Sequence, residues 1–289
     1  MRSLVERRGV RLTVAFPSSI LSKVRNDLVA TLRLAEVARA AAIFRVDELL
    51  IYLERDRPLD RSLQRFTSTI LDYITTPQYI RKGAFGMSRR LRYAGALPPL
   101  RTPNQLVPAS EKDVRVGDLR EGLVTRVSPR PYVDIGLESQ YLLNVHPKSV
   151  KLSQRGLFRI ANKESKSVER ASWDDLRCYW RYFISSPALT LGKVLESRVD
   201  CLKIATSRYG EPVWGSSSRL RELRETKDSA LIAFGSPSLG LNEILAGEKI
   251  NVRDAFDLTL NTATKQGVAT VRTEEAILVS LAVLNEILD

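Results

Sequence analysis

The feature that most restricts how this chain can fold is a rhythm. Short apolar runs alternate with stretches that are apolar at helical spacing, and one long stretch breaks the alternation. Arg11 to Phe16 alternates and ends at Pro17, which predicts a strand; Leu28 to Phe44, rich in Ala and Leu at helical spacing, predicts a helix. Glu48 to Leu53 ("ELLIYL") predicts a buried strand, and Leu59 to Ile74 a second amphipathic helix stopped before Pro77. Strand, helix, strand, helix is the pattern of an α/β domain with a parallel sheet.

The helical period disappears from Val114 to about Ser172. Short runs such as "REGLVTRVS", "PYVDIGLE" and "RGLFRIA", with turn signals between them, predict a small all-β module. Its size suits a compact OB-like barrel of the oligonucleotide-binding kind, although short strands also make sandwiches. The rhythm returns after Trp173. "RCYWRYFIS", "VDCLKIATS", "SALIAFGS" and Phe256 to Leu260 read as strands; Leu189 to Leu195, "SSSRLRELRETK" and Thr273 to Leu288 read as helices. The expected organisation is a core whose first part is 1–107, an inserted module at 108–177, and a second core part at 178–289.

Between core and module lies Pro77 to Ser110, rich in Pro and Gly and without an acidic residue, which predicts a loop or linker. It carries Arg81, Lys82, Arg89, Arg90, Arg92 and Arg101, with Tyr79, Phe85 and Tyr93 interleaved. That mixture is either a solvated loop or a surface for phosphates and stacked bases, and RNA contact through Arg81, Lys82, Arg89, Arg90, Arg92 and Tyr93 is the expectation. The whole chain has 45 Lys and Arg against 33 Asp and Glu, a net charge of +12, which fits a polyanionic partner, nucleic acid or an anionic membrane surface, or else a solubilising surface of scattered charges.

Other chemistries are excluded by scarcity. With Cys178 and Cys201 as the only cysteines and His146 as the only histidine, a four-ligand zinc site is not expected, and no metal is. Two cysteines make no disulfide framework, so a reducing cytoplasm is expected. No run of 18 apolar residues and no apolar signal core at the start predict a chain without a membrane anchor.

Three apolar strands in the C-terminal half run into loops of small and polar residues: "KIATSRYG", "IAFGSPSLGL" and "LNTATKQGVATVRTEEA". Ligands of open parallel sheets bind beyond the carboxyl ends of the strands. Any one of these glycines could be a turn residue or a cap; three such loops at one sheet edge predict a ligand site.

"QGVATVRTEEAILVSLAVLN" resembles the C-terminal knot motif of the SPOUT RNA methyltransferases, and in particular the archaeal and eukaryotic subgroup with an OB-like insert. "TPQYIRK", "LRYAGALPPLR", "IATSRYG" and "LIAFGSPSLGL" are similar to other blocks of that subgroup, in the same order. The resemblance implies an α/β fold with a SPOUT-type parallel sheet and a C-terminal trefoil knot, interrupted by a small all-β (OB-like) insert. It also implies an enzyme that transfers a methyl group from S-adenosylmethionine to a base nitrogen or ribose hydroxyl of structured RNA, rRNA or tRNA. Cofactor-binding positions carried over by the motifs are Thr206 and Ser207 in the first loop, and Phe234, Gly235, Ser236 and Gly240 in the second. In the third they are Asn261, Gln266, Gly267, Val268 and Val271. Two blocks depart from the subgroup: Pro103-Asn104-Gln105 stands where Pro-His-His is common, and Ser207-Arg208-Tyr209-Gly210 where Ser-Glu-Arg-Gly is common.

Arg272 and Glu274 are the candidate catalytic residues, facing the cofactor or the methyl acceptor. Thr273 could cap the last helix, with Glu274 and Glu275 complementing its dipole instead. That helix is apolar on more than one side, which intrachain packing alone could explain; the resemblance implies a homodimer with this helix in the interface. A different class of function, a non-catalytic RNA-binding protein on a SPOUT scaffold, would be separated by S-adenosylmethionine binding.

Overall fold

A computed structural model describes residues 5–55 and 57–289. Six strands form one parallel sheet: β1 (Arg11–Pro17), β2 (Glu48–Tyr52), β8 (Phe183–Ser185), β9 (Cys201–Pro212), β10 (Ser229–Ala233) and β11 (Leu258–Asn261), in the order β11-β9-β10-β1-β2-β8. Five others form a closed barrel: β3 (Leu119–Arg126), β4 (Tyr132–Asp134), β5 (Tyr141–Leu143), β6 (Arg155–Asn162) and β7 (Ser167–Ala171). The central sheet strands are buried on both faces, as a parallel sheet covered by helices requires.

The chain divides into two compact units. One is built of 8–74, 90–99 and 181–289 and holds the sheet; the other takes in 75–89 and 100–180 and holds the barrel. The barrel unit therefore includes residues before 108 as well as the expected insert.

In the sheet unit, α1 (Asp27–Ile43) starts where Asn26 Oδ1 accepts from the amides of Leu28 and Val29, satisfying two of the donors a helix start leaves open. It packs against α8 (Thr273–Leu284). The helix α2 (Pro58–Thr75) follows β2. On one face of the sheet Leu50, Tyr52, Leu231 and Ala233 meet α4 (Leu191–Ser197), α6 (Leu241–Ala246) and α7 (Val252–Ala255) through Val194, Leu241, Ile244 and Val252. The helices α6 and α7 are too short to show a period in sequence. The expected strand over 177–185 is reduced to Phe183–Ser185, and α5 (Ser217–Glu225) lies where a polar helix was expected.

In the barrel unit the expectation of a loop over 77–110 is corrected. Pro77 is followed by α3 (Gln78–Phe85), a helix started by proline and ended at Gly86, whose φ of 57° L residues rarely adopt. Short 3-10 turns follow at Arg89–Leu91 and Ala94–Ala96, where the chain passes into the 90–99 stretch of the sheet unit, and at Pro103–Gln105, again in the barrel unit. The reason α3 forms here is tertiary. Tyr79 Oη donates to Glu121 O at 2.8 Å, and its ring lies so close to Gly136 that a Cβ there would meet it at 2.3 Å. The buried Arg120 stacks beside the same ring and donates to Ile135 O and Pro108 O, both at 2.7 Å. Asn104, in the block that departs from Pro-His-His, is buried and structural: its Nδ2 donates to Thr75 O (2.8 Å) and to Glu121 Oε1 (3.0 Å), which also accepts from Trp180 Nε1. His146 caps a 3-10 turn.

Candidate cofactor site

Parallel pairing puts the carboxyl ends of β9, β10 and β11 at one edge of the sheet, and the three loops that leave them meet there around a cavity of about 360 Å3. That volume is at the lower end of the range of small-molecule sites. Of the residues singled out in sequence, Thr206, Ser207, Phe234, Gly235, Ser236, Gly240, Asn261, Gln266 and Val271 line it; Gly267 and Val268 do not.

The first loop is not a loop in the expected sense. β9 continues to Pro212, but its register with β11 jumps from Ala205↔Thr259 to Glu211↔Leu260, so residues 206–210 bulge out of the ladder. A bulge bends a strand and re-aims side chains. Gly210 closes it, because a Cβ there would fall 2.7 Å from Thr259 O and Leu260 C. Thr206 Oγ1 is spent on Ala233 O (2.7 Å), fixing the start of the bulge to β10.

The second loop turns tightly. Ser236 N donates to Leu239 O, while Ser236 Oγ accepts from Ser238 N and Leu239 N, a hydroxyl-closed turn. Gly235 is required by space: a Cβ would stand 2.7 Å from Leu239 O and 3.1 Å from Gly240 Cα. Beneath it, buried Tyr52 donates to Phe234 O at 2.7 Å. Burial, reinforced by Glu54 and Glu248, holds this phenol well above its ordinary pKa, so it stays a donor. The third loop is tied to the first: Asn261 Nδ2 donates to Arg208 O at 2.8 Å, and Arg208 Nη1 to Ala269 O at 3.1 Å. Gln266 Nε2 donates to Val268 O, shaping the loop from within.

The last helix begins differently from expectation. Arg272, not Thr273, is its N-cap; Arg272 N donates to Glu275 Oε2 at 2.9 Å. Thr273 is the first helical residue, and its hydroxyl donates to Gly235 O, joining helix and second loop. The Arg272 side chain is exposed beside Glu275. Glu274 is 3% exposed, does not line the cavity, and faces Arg33 of α1 at 3.4 Å. Among the lining residues that the motifs did not single out are Arg208, Tyr209, Glu243 and Thr262. Only the break from Ser-Glu-Arg-Gly at Arg208-Tyr209 offered a signal for any of them.

Of the segment expected to meet RNA, Lys82, Arg89, Arg90 and Arg92 are exposed. Arg81 is half-buried with its Nε donating to Thr76 O, and Arg92 stacks on half-buried Tyr93. Among the described residues no group of three or more metal-ligating side chains is present, and no helix is long and apolar enough to cross a membrane.

The fit of a nucleoside-like cofactor rests on the cradle itself. Gly235 and Gly240 leave backbone exposed at the cavity wall, hydroxyl and amide side chains alternate with Phe234, Leu241 and Val271, and Glu243 supplies a carboxylate. Residues 11–284 match the profile of a family described as "Putative RNA methyltransferase". An uncharacterised protein of Haloarcula marismortui is 36% identical over 286 residues, covering 94% of this chain and 98% of its own. The human 28S rRNA (uridine-N(3))-methyltransferase is 31% identical over 312 residues, covering 96% of this chain and 78% of its own. Among solved structures, the SpoU methyltransferase AviRb from Streptomyces viridochromogenes overlaps 98% of this chain and 61% of that one at a TM-score of 0.36 and 10% identity, too loose a likeness to bear on the fold.

Proposed function

We propose, from the premise that this chain belongs to that family of RNA methyltransferases, that it methylates N3 of a uridine in large-subunit ribosomal RNA. That it is an enzyme transferring a methyl group from S-adenosylmethionine to RNA follows from the family; the base and the RNA are carried from the human relative. The observation that carries the reading is the convergence of three strand-end loops on one glycine-walled cavity.

Bound there, S-adenosylmethionine supplies an electrophilic methyl group, which an acceptor must meet in line. The second loop, with Phe234, Gly235, Ser236 and Gly240, would hold it by backbone groups, and Thr206, Ser207, Asn261, Gln266 and Val271 would close the cavity around it. Glu243, which lines the cavity, would accept from ribose hydroxyls, the role carboxylates take in other nucleotide sites. Arg272, exposed at the end of the third loop, would meet the target nucleotide. Glu274 would act through its ion pair, keeping α8 and α1 in register beneath the loops. The basic segment from Arg81 to Tyr93 would hold the RNA backbone.

The barrel order β3-β4-β5-β7-β6, antiparallel except for β5 with β7, supports reading it as OB-like. Exposed Leu278 and Ala282, with partly exposed Val279 and Val283, form an apolar stripe on α8 that supports a homodimer. An rRNA substrate and two free, buried cysteines support a cytoplasmic enzyme.

The test is methyl transfer from labelled S-adenosylmethionine to transcribed, unmodified large-subunit rRNA, followed by nucleoside mass spectrometry. The expected product is 3-methyluridine. Label in a ribose or another base overturns the assignment of the acceptor; no transfer, with the cofactor bound, overturns the enzyme in favour of an RNA-binding scaffold.

A further inference from the structure

The bulge in β9 ends in a side chain that packing does not explain. Tyr209 is 81% exposed although it lines the cavity, an unusual position for a large aromatic ring. It is not loose. Arg208 lies over its ring, 4.7 Å from the centroid, and Arg208 is itself fastened at both ends of its length: its carbonyl accepts from Asn261 and its guanidinium donates to Ala269 O. Asn261 ends β11 and Ala269 lies in the loop that follows it, so the ring is set on a bulge locked to the third strand end and its loop. Ser207 Oγ accepts from Tyr209 N, and Gly210 permits the close approach to β11 that fixes the next residue. The site thus presents a planar ring with a cation on it, at the mouth of the methyl-donor cavity.

We propose that Tyr209, held by Arg208, is the stacking wall that positions the target base of the RNA at the cavity mouth. The inference rests on the RNA methyltransferase reading and adds a positioning residue to it. Recognition of single-stranded RNA works by laying unstacked bases on aromatic rings and guanidinium planes, which is sequence-tolerant because every base has a π-face. A base taken from a folded RNA loses its neighbours, and a rigid ring at the mouth restores one of them while fixing the plane in which the acceptor atom lies. The cation on the ring adds attraction for the adjoining phosphate.

Three variants of the whole chain test this: Tyr209→Leu, which keeps bulk and loses the π-face, Tyr209→Phe, which keeps the face and loses the hydroxyl, and Arg208→Gln. Five quantities are measured for each: S-adenosylhomocysteine affinity by calorimetry, affinity for an oligouridylate by fluorescence anisotropy, KM and kcat on transcribed large-subunit rRNA, and the oligomeric state by light scattering. Tyr209→Leu is expected to weaken oligouridylate binding and raise KM by roughly five- to hundredfold, with S-adenosylhomocysteine affinity unchanged. Tyr209→Phe is expected to restore both to near the wild-type values, and Arg208→Gln to fall between. Oligouridylate binding by Tyr209→Leu within twofold of wild type overturns the proposal, as does equal damage from Phe and Leu. Loss of S-adenosylhomocysteine affinity in Tyr209→Leu overturns it in favour of a contact to the cofactor, and a dimer that falls apart overturns it in favour of a second copy of the chain. Failure of the broader reading looks different: the wild-type protein itself would then bind no RNA, and the stacking role would fall with it.

Discussion

At the scale of single residues, the site is defined more by what is missing than by what is present. Gly235 is the clearest case, because its carbonyl accepts from Thr273 while its Cα has no room for a substituent beside Leu239 O. Gly235→Ala is expected to cost about 1–3 kcal/mol of stability from overpacking and to weaken S-adenosylhomocysteine binding at least about tenfold, since about 1.4 kcal/mol lost from the cofactor contacts already amounts to that factor. Gly267→Ala is the control: nothing lies within 4 Å of a Cβ there, so affinity should stay within about a factor of two. Thermal melts and calorimetry of both variants check this, and equal loss in the two would show that the second loop is not the critical wall. Gly235 was legible in the sequence because a glycine at a strand end is a recognisable sign. Tyr209 was not, because its significance depends on a register jump between β9 and β11 that one strand's sequence does not encode. The burial of Glu274 was not legible either: its carboxylate lies 3.4 Å from Arg33 of α1 and does not line the cavity, a placement set by helix packing rather than by its motif.

At the scale of elements, length decided what could be read. The helices α1, α2 and α8 run for three or more turns and were expected nearly where they lie, whereas α6 and α7, of six and four residues, are held by the packing of Leu241, Ile244 and Val252. The helix α3 was hidden by the prolines and glycines around it, and it exists because Tyr79 docks on β3 and beside Gly136. The surface of α8 carries a prediction. Leu278 is 45% exposed on the helix the homodimer reading places in the interface. Leu278→Asp is expected to convert a dimer into a monomer in light scattering at micromolar concentration, with little change in the melting of the isolated fold, because surface positions away from buried contacts tolerate such changes to within about 0.5 kcal/mol. A wild-type monomer, or a variant that stays dimeric, would count against this interface.

At the scale of the whole molecule, the charge of +12 has a measurable consequence. Replacing exposed Arg89, Arg90 and Arg92 by Ala should reduce the slope of log affinity for rRNA against log salt by roughly 0.7–0.9 per lost phosphate contact, while S-adenosylhomocysteine binding is unchanged, since none of the three lines the cavity. An unaltered slope would place the RNA backbone elsewhere; lost cofactor binding would make the segment structural. The alternation of strands and helices made the parallel sheet legible, but the order of strands was not, because neighbours in the sheet are distant in the chain. Arg11 of β1 pairs with Ser229 of β10. At a synthesis rate of roughly 5–20 residues per second, the 218 residues from Leu12 through Ser229 (229 − 11) take about 10–40 seconds to emerge. For that time one edge of β1, with Leu12, Val14 and Phe16 beside it, waits on the nascent chain for a neighbour not yet made. An open apolar edge is where chains join one another wrongly, so this chain is exposed to mispairing before the loops of its cavity have been made.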